Sequence, residues 1–439
     1  MSADPVTTAA AQLAAGDDHA AFAAVRAQLG WPAGRALGTP ALIRWVELLG
    51  AVATCRGAVS LAELADTVVR DPDSPDQLYE LGYALIDAGA PEVAATLLGR
   101  CLSLVGDSEE VVCELVSALE SALAYVDALA VLEAHPALRG RSYLARYLYA
   151  FNAAMAGQLA ITRTVLPTLA ASSPEEEGLH ETIAGIVARA DQLLAGSYAA
   201  SPGVPVLGPA DLRGWHYVLT GGLLLHQSPY GYDDPMHGRY AWLKDSPAHV
   251  TTGVERVAAL AGPLGLPCVF APPGRDHEIL AHAVATRLGV PVAPWPVVGV
   301  PAPGLVVVYD LATLTPDEVG QLAQRRPEQL LFAHATPWTT DIPVAPDVTT
   351  LLYQIVVAPW EAGLALEPGA APTTLGEPDA RPAETIGAEL AAGPGLEAEE
   401  LAADEPARLA ALVTTTWPLR PGRRPRLWAG GPVPSSRFA

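Results

Sequence analysis

The sequence predicts a two-part protein: an N-terminal all-α helical repeat array, followed by a mainly parallel three-layer α/β domain and a flexible C-terminal tail. Three observations carry this expectation. Over the first two hundred or so residues alanine and leucine dominate, and apolar residues recur at three- and four-residue spacing, as on amphipathic helices. Within that region the chain repeats itself at an interval of 34 residues. From Ser201 onward, short apolar runs alternate with single helical patterns, which right-handed crossovers wind into a parallel sheet.

The repeat is visible residue by residue. Leu78 to Arg100 aligns with Val112 to Ala134, pairing Glu80 with Glu114, Leu81 with Leu115, Ala84 with Ala118 and Ala94 with Ala128. A third unit begins near Ala145, where Leu148 takes the place of Leu81 and Leu115. Asp73 and Asp107 close consecutive units, and a degenerate earlier unit spans Arg44 to Asp73. Each unit reads as two short helices that bury their apolar stripe only by stacking on the next unit. The period and the small residues at the helix contacts resemble the tetratricopeptide repeat, over residues 40 to 170. That resemblance implies a solenoid whose concave face binds a protein or peptide.

Composition bounds what such a chain can do. Its 439 residues are 50% hydrophobic and 17% charged, enough for two or three cores. The net charge is −22, from 48 acids and 26 bases, and Lys244 is the sole lysine. Nucleic-acid binding and docking on an anionic membrane both need clustered bases, so neither partner is expected. The uncharged stretch from Val290 to Asp310 holds Pro291, Pro294, Pro296, Pro301 and Pro303, and so cannot be a spanning helix. The N-terminus has no basic start or apolar core, and four cysteines make no disulfide framework; a cytoplasmic location is the expectation.

SPGVPVLGP, from Ser201, reads as a linker, which sets the limits at 1–198 for the array, 199–365 for the α/β domain and 366–439 for the tail. In the α/β domain YVLTGGLLLH reads as a strand or strand pair, and VTTGVERVAALAGPLG as a helix. PCVFAPP is a strand, DHEILAHAVATRLG a helix closed by Gly289, and VPVAPW and GLVVVYDL are strands. TPDEVGQLAQRR is a helix, LLFAHA a strand and VTTLLYQIVVAP a last helix. The tail begins acidic and ends with Arg420, Arg423, Arg424 and Arg426, a basic end that could meet the acidic array.

One ordering in the α/β domain has chemical content. A strand ends in the small loop Ala271 to Asp276, a helix follows, and a later apolar strand ends in an acid and a Thr-rich loop, Val306 to Thr315. This resembles the type I phosphoribosyltransferase fold. The resemblance implies that Gly274 and Arg275 lie in a pyrophosphate loop. It places Asp310 as the second of two ribose-binding acids, and Thr313 and Thr315 within a 5′-phosphate loop. Two positions depart from that pattern: Tyr309 stands where the first acid belongs, and Leu314 where a glycine would let backbone N–H groups close on a phosphate. Thr315-Pro316-Asp317-Glu318 also reads as a capping box, with Thr315 the cap and Pro316 the first helical residue. Asp317 and Glu318 then occupy the helix end that would attract a phosphate. Asp276 reads as the cap of the preceding helix.

Other polar groups carry less. His226, Asp233, Asp234 and His237 could ligate a divalent metal, but match no metal spacing; they lie in a loop with Tyr230, Tyr232, Tyr240 and Trp242, beside Arg239 and Lys244. His334 follows a strand, where α/β domains place functional side chains, and His282 lies within a helix. Thr220 to Gly222 is too short for a phosphate loop. The expectation is therefore a non-catalytic adaptor or regulator with no cofactor and no metal, whose α/β domain binds a partner or a small anionic, phosphate-containing ligand. The alternative is a phosphoribosyltransferase-like enzyme or a nucleotide- or sugar-phosphate-binding protein.

Overall fold

The computed structural model describes residues 4–196, 204–231, 236–295, 302–365, 373–397 and 425–435. The chain divides into two compact units, Met1–Ile183 and Ala184–Ala439.

The first unit is a succession of helical hairpins. They are α1 (Pro5–Ala14) with α2 (Asp18–Leu29), α3 (Thr39–Cys55) with α4 (Val59–Arg70), and α5 (Pro75–Asp87) with α6 (Pro91–Val105). Next come α7 (Glu109–Ser121) with α8 (Tyr125–Ala134), the short α9 (Pro136–Arg141), and α10 (Tyr143–Met155) with α11 (Leu159–Val165). The long α12 (Pro174–Gly196) follows and carries the chain from the first unit into the second. The first helices of three successive hairpins begin at Pro75, Glu109 and Tyr143, which places the 34-residue period of the sequence directly on the structure. Ser74, Ser108 and Ser142 precede them at the same interval, and the last two cap their helices with a side-chain oxygen.

The turn inside each hairpin has one chemical form. Gly16, Gly57, Gly89, Leu123 and Gly157 all adopt positive φ. The next N–H then reaches back five residues to a helix carbonyl: Asp17 to Gln12, Ala58 to Ala53, Ala90 to Leu85, Ala124 to Leu119 and Gln158 to Ala153. This is the Schellman closure, which satisfies carbonyls orphaned at a helix end. Close packing fixes the other small residues. A Cβ on Gly82 would lie 2.7 Å from Leu98, so α5 can approach α6 only because that position has no side chain. Ala94, Ala118 and Ala128 are fully buried, while Ala84 is only partly so.

The second unit opens on α13 (Leu212–Thr220) and is built on a parallel sheet of β1 (Leu223–Leu224), β2 (Tyr240–Lys244), β3 (Val269–Ala271), β4 (Val292–Pro294), β5 (Gly304–Asp310), β6 (Gln329–Pro337) and β7 (Val348–Val357). The order is β1-β7-β6-β5-β3-β4, and β2 also pairs with β7, continuing the edge that β1 begins. Helices α14 (Pro247–Ala261) and α15 (Arg275–Leu288) pack on one face. On the other, Val306 and Val308 of β5 and Leu331 and Ala333 of β6 meet Leu322 of α16 (Pro316–Ala323). A small antiparallel pair, β8 (Gly363–Ala365) with β9 (Thr373–Leu375), precedes α17 (Ala383–Ala392).

The fold class is as expected, with three corrections to its elements. VTTLLYQIVV is β7, a central strand, and not a helix: its first six residues are buried between β6 and the β1–β2 edge. Tyr217 to Thr220 belong to helix α13, capped by Asp211 and stopped by Gly221 in the left-handed conformation. Asp276 is not the cap of α15; Gly274 holds that position and Asp276 lies in the first turn. Part of the segment expected as a flexible tail is also packed. Gly387 of α17 sits against His282 and the backbone of α15, where a Cβ would come within 2.6 Å. Leu427 pairs with Ile342 across an antiparallel bridge and is buried. Arg426 lies 3.6 Å from Asp341 and stacks over Trp428. Arg420, Arg423 and Arg424 lie outside the described residues.

Candidate functional site

In an open α/β sheet, ligands enter where the strand order reverses, outside the carboxyl ends of the strands. Here that reversal lies between β3 and β5, whose neighbours β4 and β6 diverge. The loops leaving those two strands carry Gly274, Arg275, Asp310, Thr313 and Thr315, so the sheet brings the sequence-derived residues to one region. It also engages their side chains with the protein itself.

Gly274 has φ +133°, a conformation for which glycine is the default residue, and caps α15 without a side chain. The Arg275 guanidinium donates to the carbonyls of Asp379 and Arg381 and lies 4.0 Å from Glu361. Asp310 accepts the N–H of Ala312 at 2.9 Å and a hydrogen bond from the Tyr353 hydroxyl. Burial raises the Asp310 carboxyl above its ordinary range, against the lowering effect of those two donors. The Thr313 hydroxyl donates to the Asp310 carbonyl at 2.8 Å. Thr315 and Glu318 form the expected capping box, Thr315 N–H to Glu318 Oε2 at 2.7 Å and Glu318 N–H to Thr315 Oγ1 at 3.3 Å.

A strap made by residues 358–361 and 379–381 packs against this corner. Trp360 is buried edge-on to Tyr309 at 5.0 Å, and its indole N–H donates to Asp276 at 2.5 Å. Lys244, at the end of β2, donates to the carbonyls of Ala358 and Glu361 at 2.7 and 2.8 Å. Arg275, at the start of α15, holds the carbonyls of Asp379 and Arg381.

Beneath it is a buried polar network that the sequence did not reveal as a unit. Asp245 Oδ2 accepts from the Tyr309 hydroxyl and from His334 Nε2, each at 2.9 Å. Its Oδ1 accepts the Ser246 N–H at 2.8 Å and lies 3.3 Å from His249 Nδ1. Burial alone would raise this carboxyl; the two imidazoles beside it, His334 first and then His249, outweigh it and hold Asp245 well below the carboxylate range. Burial and the Asp245 charge push the Tyr309 hydroxyl far above its ordinary value. Tyr309 therefore donates a hydrogen bond where the phosphoribosyltransferase pattern has an acid. His277 accepts the Tyr309 N–H at 3.1 Å, and burial lowers it. His226 bonds the Tyr240 hydroxyl at 2.8 Å. Asp233 and Asp234 lie outside the described residues, among which no group of His, Cys, Asp or Glu is arranged to hold a metal ion.

Thr220 to Gly222 is a helix stop: the Thr220 hydroxyl accepts the Gly222 N–H at 3.0 Å. A small cleft of about 40 Å³ lies elsewhere in this unit, lined by Trp215, His216, Arg239 and Trp338 together with residues 427–433. Among the described residues no helix is long and apolar enough to cross a membrane.

The fold and this corner define a helical repeat array joined to a parallel α/β unit. No family model matches the chain, and no curated protein does. Two solved structures are similar to parts of it. MamA AMB-1 has 16% identity over 39% of this chain and 93% of its own, with a TM-score of 0.24. A purine phosphoribosyltransferase from Pyrococcus horikoshii Ot3 has 18% identity over 29% of this chain and 98% of its own, with a TM-score of 0.23.

Proposed function

We propose that this chain is a non-catalytic adaptor or regulatory protein: the tetratricopeptide-like array takes a protein or peptide partner, and the α/β unit is a packed scaffold in which a phosphate site has been filled by the chain itself. One observation carries this reading. Arg275, Asp310, Thr313 and Thr315 each make a hydrogen bond within the protein, and the capping carboxylate of Glu318 occupies the helix end that an anion would need. A sugar phosphate seated at this corner would have to compete with these contacts and with the Glu318 charge.

Thermal unfolding of the full chain with ribose 5-phosphate, pyrophosphate and nucleoside mono- and triphosphates tests it. A ligand at a hundred times its Kd adds roughly 2.7 kcal/mol, a shift of several degrees. The expected result is no shift; a shift that disappears in Asp310→Asn would overturn the reading. Affinity capture checks the positive half. Gly82→Phe, which unseats α5 from α6, should release a bound partner, and a partner retained by that variant would not be using the array.

A further inference from the structure

Three carboxylates and two tyrosines on α5 and α7 form a surface with a specific chemical demand. Tyr79, Tyr83 and Asp87 follow at four-residue spacing along one stripe of α5, and Glu110 and Glu114 do so on α7. The tyrosine rings stack with centroids 6.5 Å apart, and Tyr83 is 51% exposed. The next aromatic pair on the same stripe, Tyr147 and Phe151 of α10, stacks in the same way but is buried, at 7% and 2% exposure. The α5 pair is therefore the open member of a set that elsewhere serves as core.

The carboxylates around it sense one another. Burial raises Glu114, and the charges of Asp87 and Glu110 add to that. Tyr79 is pushed up to about 12 by burial and by Glu114 and Glu110. Among the described residues no Arg, Lys or His pairs with Asp87, Glu110 or Glu114. Between residues 71 and 121 there are eleven acids and one base, Arg100, and that base is engaged with Asp73, Thr39 and the Pro72 carbonyl. A surface of uncompensated carboxylates beside exposed aromatic faces is complementary to a cation, by Coulomb attraction and by the ring quadrupoles.

We propose that the α5–α7 face docks a basic segment of a protein partner, seating an Arg or Lys side chain over Tyr79 and Tyr83 between Asp87, Glu110 and Glu114. The proposal rests on the adaptor reading and adds the chemistry of the partner.

The test is fluorescence anisotropy of the full chain with a short labelled peptide of alternating Arg and Ser, against the same peptide carrying neutral citrulline for arginine. The arginine peptide should bind about tenfold more tightly, and less so as salt rises. Glu110→Gln/Glu114→Gln should weaken it about fivefold, and Tyr83→Ala about threefold with recovery in Tyr83→Phe. Glu175→Gln/Glu177→Gln removes the same charge from the exposed first turn of α12 and should change binding less than twofold. Equal binding of the two peptides, no binding of either, or equal losses in the two double variants would overturn the proposal. If it falls while a captured partner is still lost with Gly82→Phe, the adaptor reading stands without it.

Discussion

Leu123→Gly should leave the stability of the helical array nearly unchanged, whereas the converse change in a neighbouring turn should lower it. Leu123 stands at φ +59° in the one hairpin turn whose left-handed residue is not glycine, while Gly16, Gly57, Gly89 and Gly157 fill the equivalent place elsewhere. Its turn keeps the same bonds: Leu123 N–H to Glu120 O at 2.9 Å and Ala124 N–H to Leu119 O at 2.8 Å. The left-handed conformation costs an L-residue about 1–2 kcal/mol through the contact of Cβ with the following carbonyl. Glycine escapes that cost but gives back roughly 0.5–1 kcal/mol of chain entropy and a half-buried leucine side chain. Half-burial of the leucine is worth about 1 kcal/mol, so the terms nearly cancel and the net change should lie within about 0.5 kcal/mol of zero. The converse change, Gly89→Leu, places a side chain where a Cβ meets nothing within 4 Å, so only the backbone terms act: about 1–2 kcal/mol of strain less roughly 0.5–1 kcal/mol of chain entropy, a net cost of about 0.5–1 kcal/mol. Urea unfolding of the full chain followed by far-UV circular dichroism measures both. If Leu123→Gly destabilises as much as Gly89→Leu, the turn does not carry the strain assigned to it.

Three further outcomes are expected. Gly253→Ala would place a Cβ 2.4 Å from Thr350 Oγ1 and 3.0 Å from His334 Nδ1, so it should destabilise by about 1–3 kcal/mol, with part recovered in Gly253→Ala/Thr350→Ala; denaturant midpoints decide this. Arg325 and Asp347 form a buried ion pair at 2.9 Å, and Asp347 also accepts the Leu331 N–H. Arg325→Met should therefore cost about 3–5 kcal/mol and Arg325→Met/Asp347→Leu less, as read by the same midpoints. His216 is buried and its pKa is lowered to about 4, by burial first and then by Arg239. The unfolded chain therefore binds the extra proton between its ordinary pKa and 4, and stability should fall as pH drops through that window, by about 1.4 kcal/mol per unit. His216→Leu should flatten that slope; an unchanged slope would locate the titration elsewhere.

The array was legible because its repeat is written in short-range terms: Leu81 and Leu115, and Ala94 and Ala128, are buried one unit apart, and Glu80 and Glu114 recur at the same spacing. The α/β unit was legible as alternation but not strand by strand. VTTLLYQIVV is ten residues of nearly continuous apolarity, a length that suits either a helix or a strand buried on both sides; only its neighbours decide. Trp215 to Thr220 carries β-formers, yet the Asp211 cap and the Gly221 stop bound it as a helix, signals that a strand reading passes over. In the site, the capping box was readable because its four residues are contiguous. The Asp245–His334 contact joins residues 89 apart, and Tyr309 reaches Asp245 across 64, so no local pattern could have joined them. The strap against the switch point was missed for the same reason, its anchors being backbone carbonyls that have no sequence signature.

That strap has a consequence for any small molecule offered to the corner it packs against. Its contacts are made by a segment covalently joined to the sheet, so they compete at an effective concentration in the millimolar range for a short linkage, and dilution does not weaken them. A free phosphate compound would have to displace a rival that never diffuses away.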